Sequence, residues 1–250
     1  MTLFRNAVFA AAIAGLFAGL IMTAMQTFAT VPLILKAETF EGAAMSGHDH
    51  GAATVEAEQP GSESVASGHH GEEAWAPADG FERFAFTALA NIVTGIGFAL
   101  VLVAASEFAG GIAGWRQGVF WGLAGFAVFT LAPGLGLPPE LPTMPTADLM
   151  DRQVWWIATV AATAAGLALI AFRGSVVFSL VGVALIVTPH LIGAPQPASH
   201  ESPLPDGLHH QFVVAATVTS LIFWVLLGGM VGMVRQHLLA TAGGPSKSFA

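Results

Sequence analysis

The chain contains no cysteine and no tyrosine, and charged residues occupy only 10% of its 250 positions. Without thiols there is no disulfide framework, no thiolate metal site and no nucleophilic thiol, so any metal the chain handles must meet nitrogen and oxygen donors. The scarcity of charge excludes an ordinary water-soluble domain, which carries roughly 25% charged residues. No G-x-x-x-x-G-K-[ST] pattern occurs. The chain therefore has no phosphate-cradling loop of its own, and energy must come from a gradient or a partner. No nucleophile, base and orienting acid cluster in the sequence, which argues against a hydrolytic enzyme. The acidic balance, net −8, gives no footing for nucleic acid.

What abounds is apolar, at 54% of all residues. Runs near 7–35, 84–106, 115–135, 154–172, 174–193 and 211–234 approach the length, about 20 helical residues, that crosses a hydrocarbon layer of roughly 30 Å. The sequence predicts an all-α, polytopic membrane helix bundle with six transmembrane helices, organised as a single domain over 1–250. Only Arg173-Gly174 separates the fourth and fifth runs, and fusing them gives five spans as the alternative. Six spans put both termini on one side, together with Arg5, Arg116, Arg173, Arg235 and Lys247, against Lys36, Arg83 and Arg152 on the other. The positive-inside rule then places the N and C termini in the cytoplasm, and the protein in a bacterial inner membrane. The first run is about twice as long as the h-region of a secretory signal and lacks a clear small-residue cleavage site, so it reads as a span.

With this topology every acid except Glu107 lies outside, accompanied by most of the histidines. The segment at about 42–80 is rich in Gly, Ala, Ser, Glu and His and poor in branched aliphatics, which predicts a flexible extracytoplasmic loop. It holds His48-Asp49-His50 and His69-His70. Imidazole and carboxylate suit borderline divalent ions such as Co²⁺, Ni²⁺ and Zn²⁺. The irregular spacing fits a low-affinity collector rather than a fixed zinc site, and a solvated acidic linker is the plain alternative. Glu38 and Glu41 stand at the outer end of the first span, where they would either strip water from an ion or pair with Arg83. His190 follows Pro189 at the outer end of the fifth span, where one ring nitrogen is positioned to meet an arriving ion. His209 and His210 sit at the mouth of the last, and adjacent side chains on a helix diverge, so only one of the two would join a shared site. On the inner side Glu107 is expected to pair with Arg116.

Polar residues inside the spans are few. Thr23, Gln26, Thr27 and Thr30 share one stripe of the first helix, and Thr87, Asn91 and Thr94 one stripe of the second. Gln26 and Asn91 are the candidates to line a pathway, because a primary amide in hydrocarbon needs several partners. Ala11, Gly15 and Gly19 form a small-residue seam. Two loops begin with a proline at a helix end and continue as apolar Gly/Pro chain, over 133–142 and 188–197. Such loops seek burial and are expected to cap or line an entrance.

The chain resembles the CbtA family of predicted cobalt transporter subunits. The likeness lies in Ala37-Glu38-Thr39-Phe40-Glu41, in the run from Ala132 to Pro142, and above all in Thr188-Pro189-His190-Leu191-Ile192-Gly193-Ala194-Pro195. It covers nearly the whole chain apart from the His-rich loop. The resemblance implies a non-enzymatic membrane subunit for Co²⁺ uptake linked to cobalamin synthesis, with no tightly bound cofactor. It also implies a small single-span, His-rich partner of the CbtB type. A membrane haem or redox protein using His190 and His209 as axial ligands, or a non-transporting metal-binding scaffold, are the alternatives from other classes.

Overall fold

The computed structural model describes residues 2–46, 77–78, 80–199 and 201–242. Among them the ordered elements are helices: α1 (Thr2–Ala29), α2 (Val31–Ser46), α3 (Phe81–Glu107), α4 (Trp115–Phe126), a π-helical turn (Ala127–Leu131), α5 (Ala132–Gly136), α6 (Leu149–Phe172), α7 (Val176–Ile192) and α8 (Leu208–Ala242). Helices satisfy their own backbone hydrogen bonds, which is what a chain this apolar needs where water is absent. Five stretches are long and apolar enough to cross a membrane: Phe4–Ala29, Phe81–Glu107, Trp115–Gly136, Leu149–Phe172 and Leu208–Thr241. Outward-facing Phe17, Val93, Phe120, Ile157 and Val218 are exposed, as expected where the solvent is lipid.

The fifth apolar run forms α7, which at 17 residues is shorter than a full span. It is not fused with α6: Gly174, at φ 55°, turns the chain between them. α7 then runs back along α6 far enough to set the His190 ring against Trp155, near the start of α6. The expected bundle therefore consists of five full-length spans and one short apolar helix.

Small residues decide which helices touch. Within hydrocarbon no hydrophobic force pulls apolar helices together, so close backbone approach must supply the attraction. The seam Ala11, Gly15, Gly19 on α1 meets α3, and a Cβ on Gly15 would fall 2.3 Å from the Ile96 nitrogen. Gly118 and Gly122 of α4 bring that helix against Gly228 of α8, and Gly166 of α6 lies on Gly182 of α7. α1 also packs on α8, so α1, α3, α4 and α8 form a four-helix core with the α6–α7 hairpin set beside it. The hairpin is joined to the core through the π-helical turn and α5, with Phe129 facing both Trp156 and Trp224.

Three boundaries differ from the sequence expectation. The first apolar run is two helices, broken at Thr30. Pro32 has no N–H to continue the ladder, and its ring disfavours an unbroken helix. Lys36, Glu38 and Glu41 consequently lie on α2, not at the end of the first span, and α2 takes in residues 42–46 of the expected loop. The prolines expected at helix ends also lie within helices: Pro133 in α5, directly after the π-helical turn, and Pro189 one turn before the end of α7.

Candidate functional site

One end of the bundle carries a built cap. α2, the chain after α5 and the chain before α8 converge there on a second small core of Ala37, Leu141, Leu208 and Phe212, with Leu33, Ile34, Met144 and Leu204 against it. The apolar Gly/Pro chain of the 133–142 loop thus finds the burial its side chains require. Two ion pairs lace the cap: Arg83 Nη1 meets Glu38 Oε1 at 3.1 Å and Arg152 Nη2 meets Glu140 Oε2 at 2.8 Å. Asp148 starts α6 by accepting from the Met150 and Asp151 amides, at 2.9 and 3.2 Å. Thr143 is the one described non-glycine residue with positive φ, at 69°, and its Oγ1 is buried without a hydrogen-bond partner. A β-branched residue in that conformation is strained, and such strain gathers at functional positions.

The candidate metal residues divide among three situations. Glu38 is half-buried and engaged with Arg83, so the expected Glu38–Arg83 pair forms. His190 is half-buried in the last turn of α7, with its ring edge-on to Trp155 at a centroid distance of 5.9 Å. Trp155 is itself buried and donates from Nε1 to the Pro189 carbonyl. His209 Nε2 lies 3.1 Å from the Pro139 carbonyl oxygen, while its neighbour His210 is exposed. Glu41 lies on α2, whereas His48, Asp49, His50, His69 and His70 fall outside the described residues. Among the described residues no three His, Asp or Glu side chains gather into a group that could hold a metal ion.

At membrane depth Asn91 and Gln26 face each other. Asn91 Nδ2 donates to Gln26 Oε1 at 2.7 Å and to Thr23 Oγ1 at 3.0 Å, and Thr23 Oγ1 in turn donates to the Gly19 carbonyl at 2.9 Å. The two amides expected to line a pathway therefore clasp α1 to α3. Thr94, from the same sequence stripe, is exposed instead. Deeper in the core Trp224 Nε1 donates to Thr130 Oγ1 within the π-helical turn, in a cluster with Phe98 and Phe129.

At the opposite end the expected Glu107–Arg116 pair does not form. Glu107 meets Arg235 of α8, at 2.5 Å from Nη1, and Arg116 lies over the ring of Trp115. Residues close in sequence were the wrong guide, because α8 brings its arginine to the end of α3 from the far end of the chain. No periodicity identifies the Glu107–Arg235 and Glu140–Arg152 pairs or the Thr143 conformation. The turn signals in Pro142-Thr143-Met144-Pro145 are the only local hint of strain.

A helix bundle with membrane-length apolar spans, polar groups bonded across helix interfaces and a capped end defines a multi-pass integral membrane protein. The family model described as probable cobalt transporter subunit (CbtA) matches residues 4–236, and the chain belongs to that family. No curated protein and no solved structure matches it. Membership makes it a membrane transport subunit with cobalt as the family's cargo, which agrees with a place in the bacterial inner membrane.

Proposed function

We propose that this chain is the membrane-embedded subunit of an importer that carries Co²⁺ into the cytoplasm, where it supplies cobalamin synthesis. The observation that carries the reading is the family match across 4–236 on a bundle with five membrane-length spans. α7 serves as the sixth crossing, which leaves both termini cytoplasmic and the cap facing outward. The His-rich segment with His48, Asp49, His50, His69 and His70 collects the ion. Glu38, Glu41, His190 and one of His209 and His210 receive it at the cap. Since the described residues do not complete a coordination shell, further ligands come from the His-rich segment or from a single-span, His-bearing partner of the CbtB type. Ni²⁺ and Zn²⁺ suit the same nitrogen and oxygen donors and are the competing cargoes.

In this scheme the described conformation is closed. Glu38 is held by Arg83, and the Gln26–Asn91 clasp bars the α1–α3 interface until both amides turn to the ion. Inward movement of a divalent cation gains about 4.6 kcal/mol per 100 mV of inside-negative potential. That sustains a concentration ratio on the order of 10³ without nucleotide hydrolysis.

The test is cobalt and nickel uptake in cells lacking other importers, comparing the intact chain with His190→Ala and with residues 47–74 deleted. Uptake is expected to be lost in the first and only weakened in the second. Equal uptake in all three would remove His190 from the mechanism. A second reading draws on the same clasp: with its amides bonded to each other, the chain would be a metal-binding scaffold for a partner that transports. Reconstituted vesicles would then bind cobalt and admit none.

A further inference from the structure

Among the described residues Glu107 lies at the end of the bundle opposite the acids of the cap, and it ends α3, where the negative pole of the helix disfavours a carboxylate. Arg235 compensates it. The arginine side chain is only 13% exposed while that of Glu107 is 55% exposed, and their charges touch without an aligned hydrogen bond between them. The guanidinium also borders a small hollow with Asn6 and Ala7 of α1. Arg235 therefore stands where α1, α3 and α8 converge. The turn after α3 is folded over it: Gly111 has φ 81°, and a Cβ there would meet Arg235 Nη2 at 3.0 Å. Beneath the pair Ser106 is fully buried, and below it Ala11, Ala14, Ala99 and Leu227 belong to one dry core. Beyond that core lies the Gln26–Asn91 clasp. The interface of these three helices is thus polar at both ends, with a packed apolar core that includes Leu102, Val103 and Leu227 between, a construction that bars ions while it stays closed.

We propose that the ion route follows the α1–α3–α8 interface and that Glu107–Arg235 is the closing ion pair at the end opposite the cap. The guanidinium repels a divalent cation while the pair is closed. When Arg235 swings aside, Glu107 becomes the carboxylate that receives the departing ion. This rests on the transport reading above but is tested without cobalt.

The absence of native cysteine makes the test direct. Ser106→Cys reports just beneath the pair and Ala99→Cys reports deeper on α3, each probed with a water-soluble maleimide in permeabilised membranes. Both thiols should label slowly in the otherwise native chain. Adding Arg235→Gln should raise both rates by about tenfold, the rise expected if the pair biases the closed state by about 1.4 kcal/mol. Because that variant strands Glu107, the doubly neutral Glu107→Gln/Arg235→Gln chain is the companion and should label as fast. Rates unchanged in variants that retain their unfolding midpoint would overturn the proposal. So would labelling confined to position 106, which would mean that the turn frays and no route opens. Failure of the native chain to take up cobalt would sink the transport reading alone.

Discussion

Asn91 shows how one side chain can hold two membrane helices in register. Its amide nitrogen reaches both Gln26 and Thr23, so a carboxamide that would be costly in lipid is satisfied across the α1–α3 interface. Asn91→Leu keeps the branched outline of the side chain and removes the bonds. It should lower stability by about 0.6 kcal/mol, the mean for polar contacts between membrane helices, read as a lower unfolding midpoint in detergent. An unchanged midpoint would mean that the clasp does not hold the helices. Sequence alone marked Asn91 and Gln26 as unusual, because primary amides are rare in apolar spans. Whether they faced a path, lipid or each other was not legible, since that depends on the rotation of α1 against α3.

At the scale of elements, glycine position rather than glycine number sets the packing. Gly118 lies against the Gly228 backbone, where a Cβ would fall 2.1 Å from the carbonyl oxygen, whereas nothing lies within 4 Å of a Cβ on Gly97. Gly118→Val should force α4 and α8 apart at a cost of about 1–3 kcal/mol or more. Gly97→Val should be tolerated. Expression level and thermal unfolding of the pair give the comparison, and equal effects would refute the assigned α4–α8 seam. The seam Ala11, Gly15, Gly19 was readable from its four-residue spacing alone. The pairing of Gly118 with Gly228 was not, because the two positions are more than a hundred residues apart. Helix breaks were legible only in part: Pro32 does break the first apolar run, but Pro133 and Pro189 lie within helices that continue past them.

For the whole molecule, orientation is the quantity that ties the cap to import. The cations Arg5, Arg116, Arg173, Arg235 and Lys247 against Lys36, Arg83 and Arg152 predict that the cap faces outward. A periplasm-active reporter inserted in the chain between α7 and α8 should be active, and the same reporter between α3 and α4 should be silent. The reverse pattern would turn the importer model around. Hydropathy, the scarcity of charge and the missing thiols determined, without any coordinates, that this is a multi-pass helical membrane protein and that any metal it handles must meet nitrogen and oxygen donors. These are properties of residues taken in order, and burial in lipid depends on little else. Only the tertiary structure decided that Glu107 pairs with Arg235 and not Arg116, that Trp155 turns inward, and that Gln26 and Asn91 bond one another. Each of those choices joins distant stretches of chain through the rotation and crossing of whole helices, which no local pattern encodes.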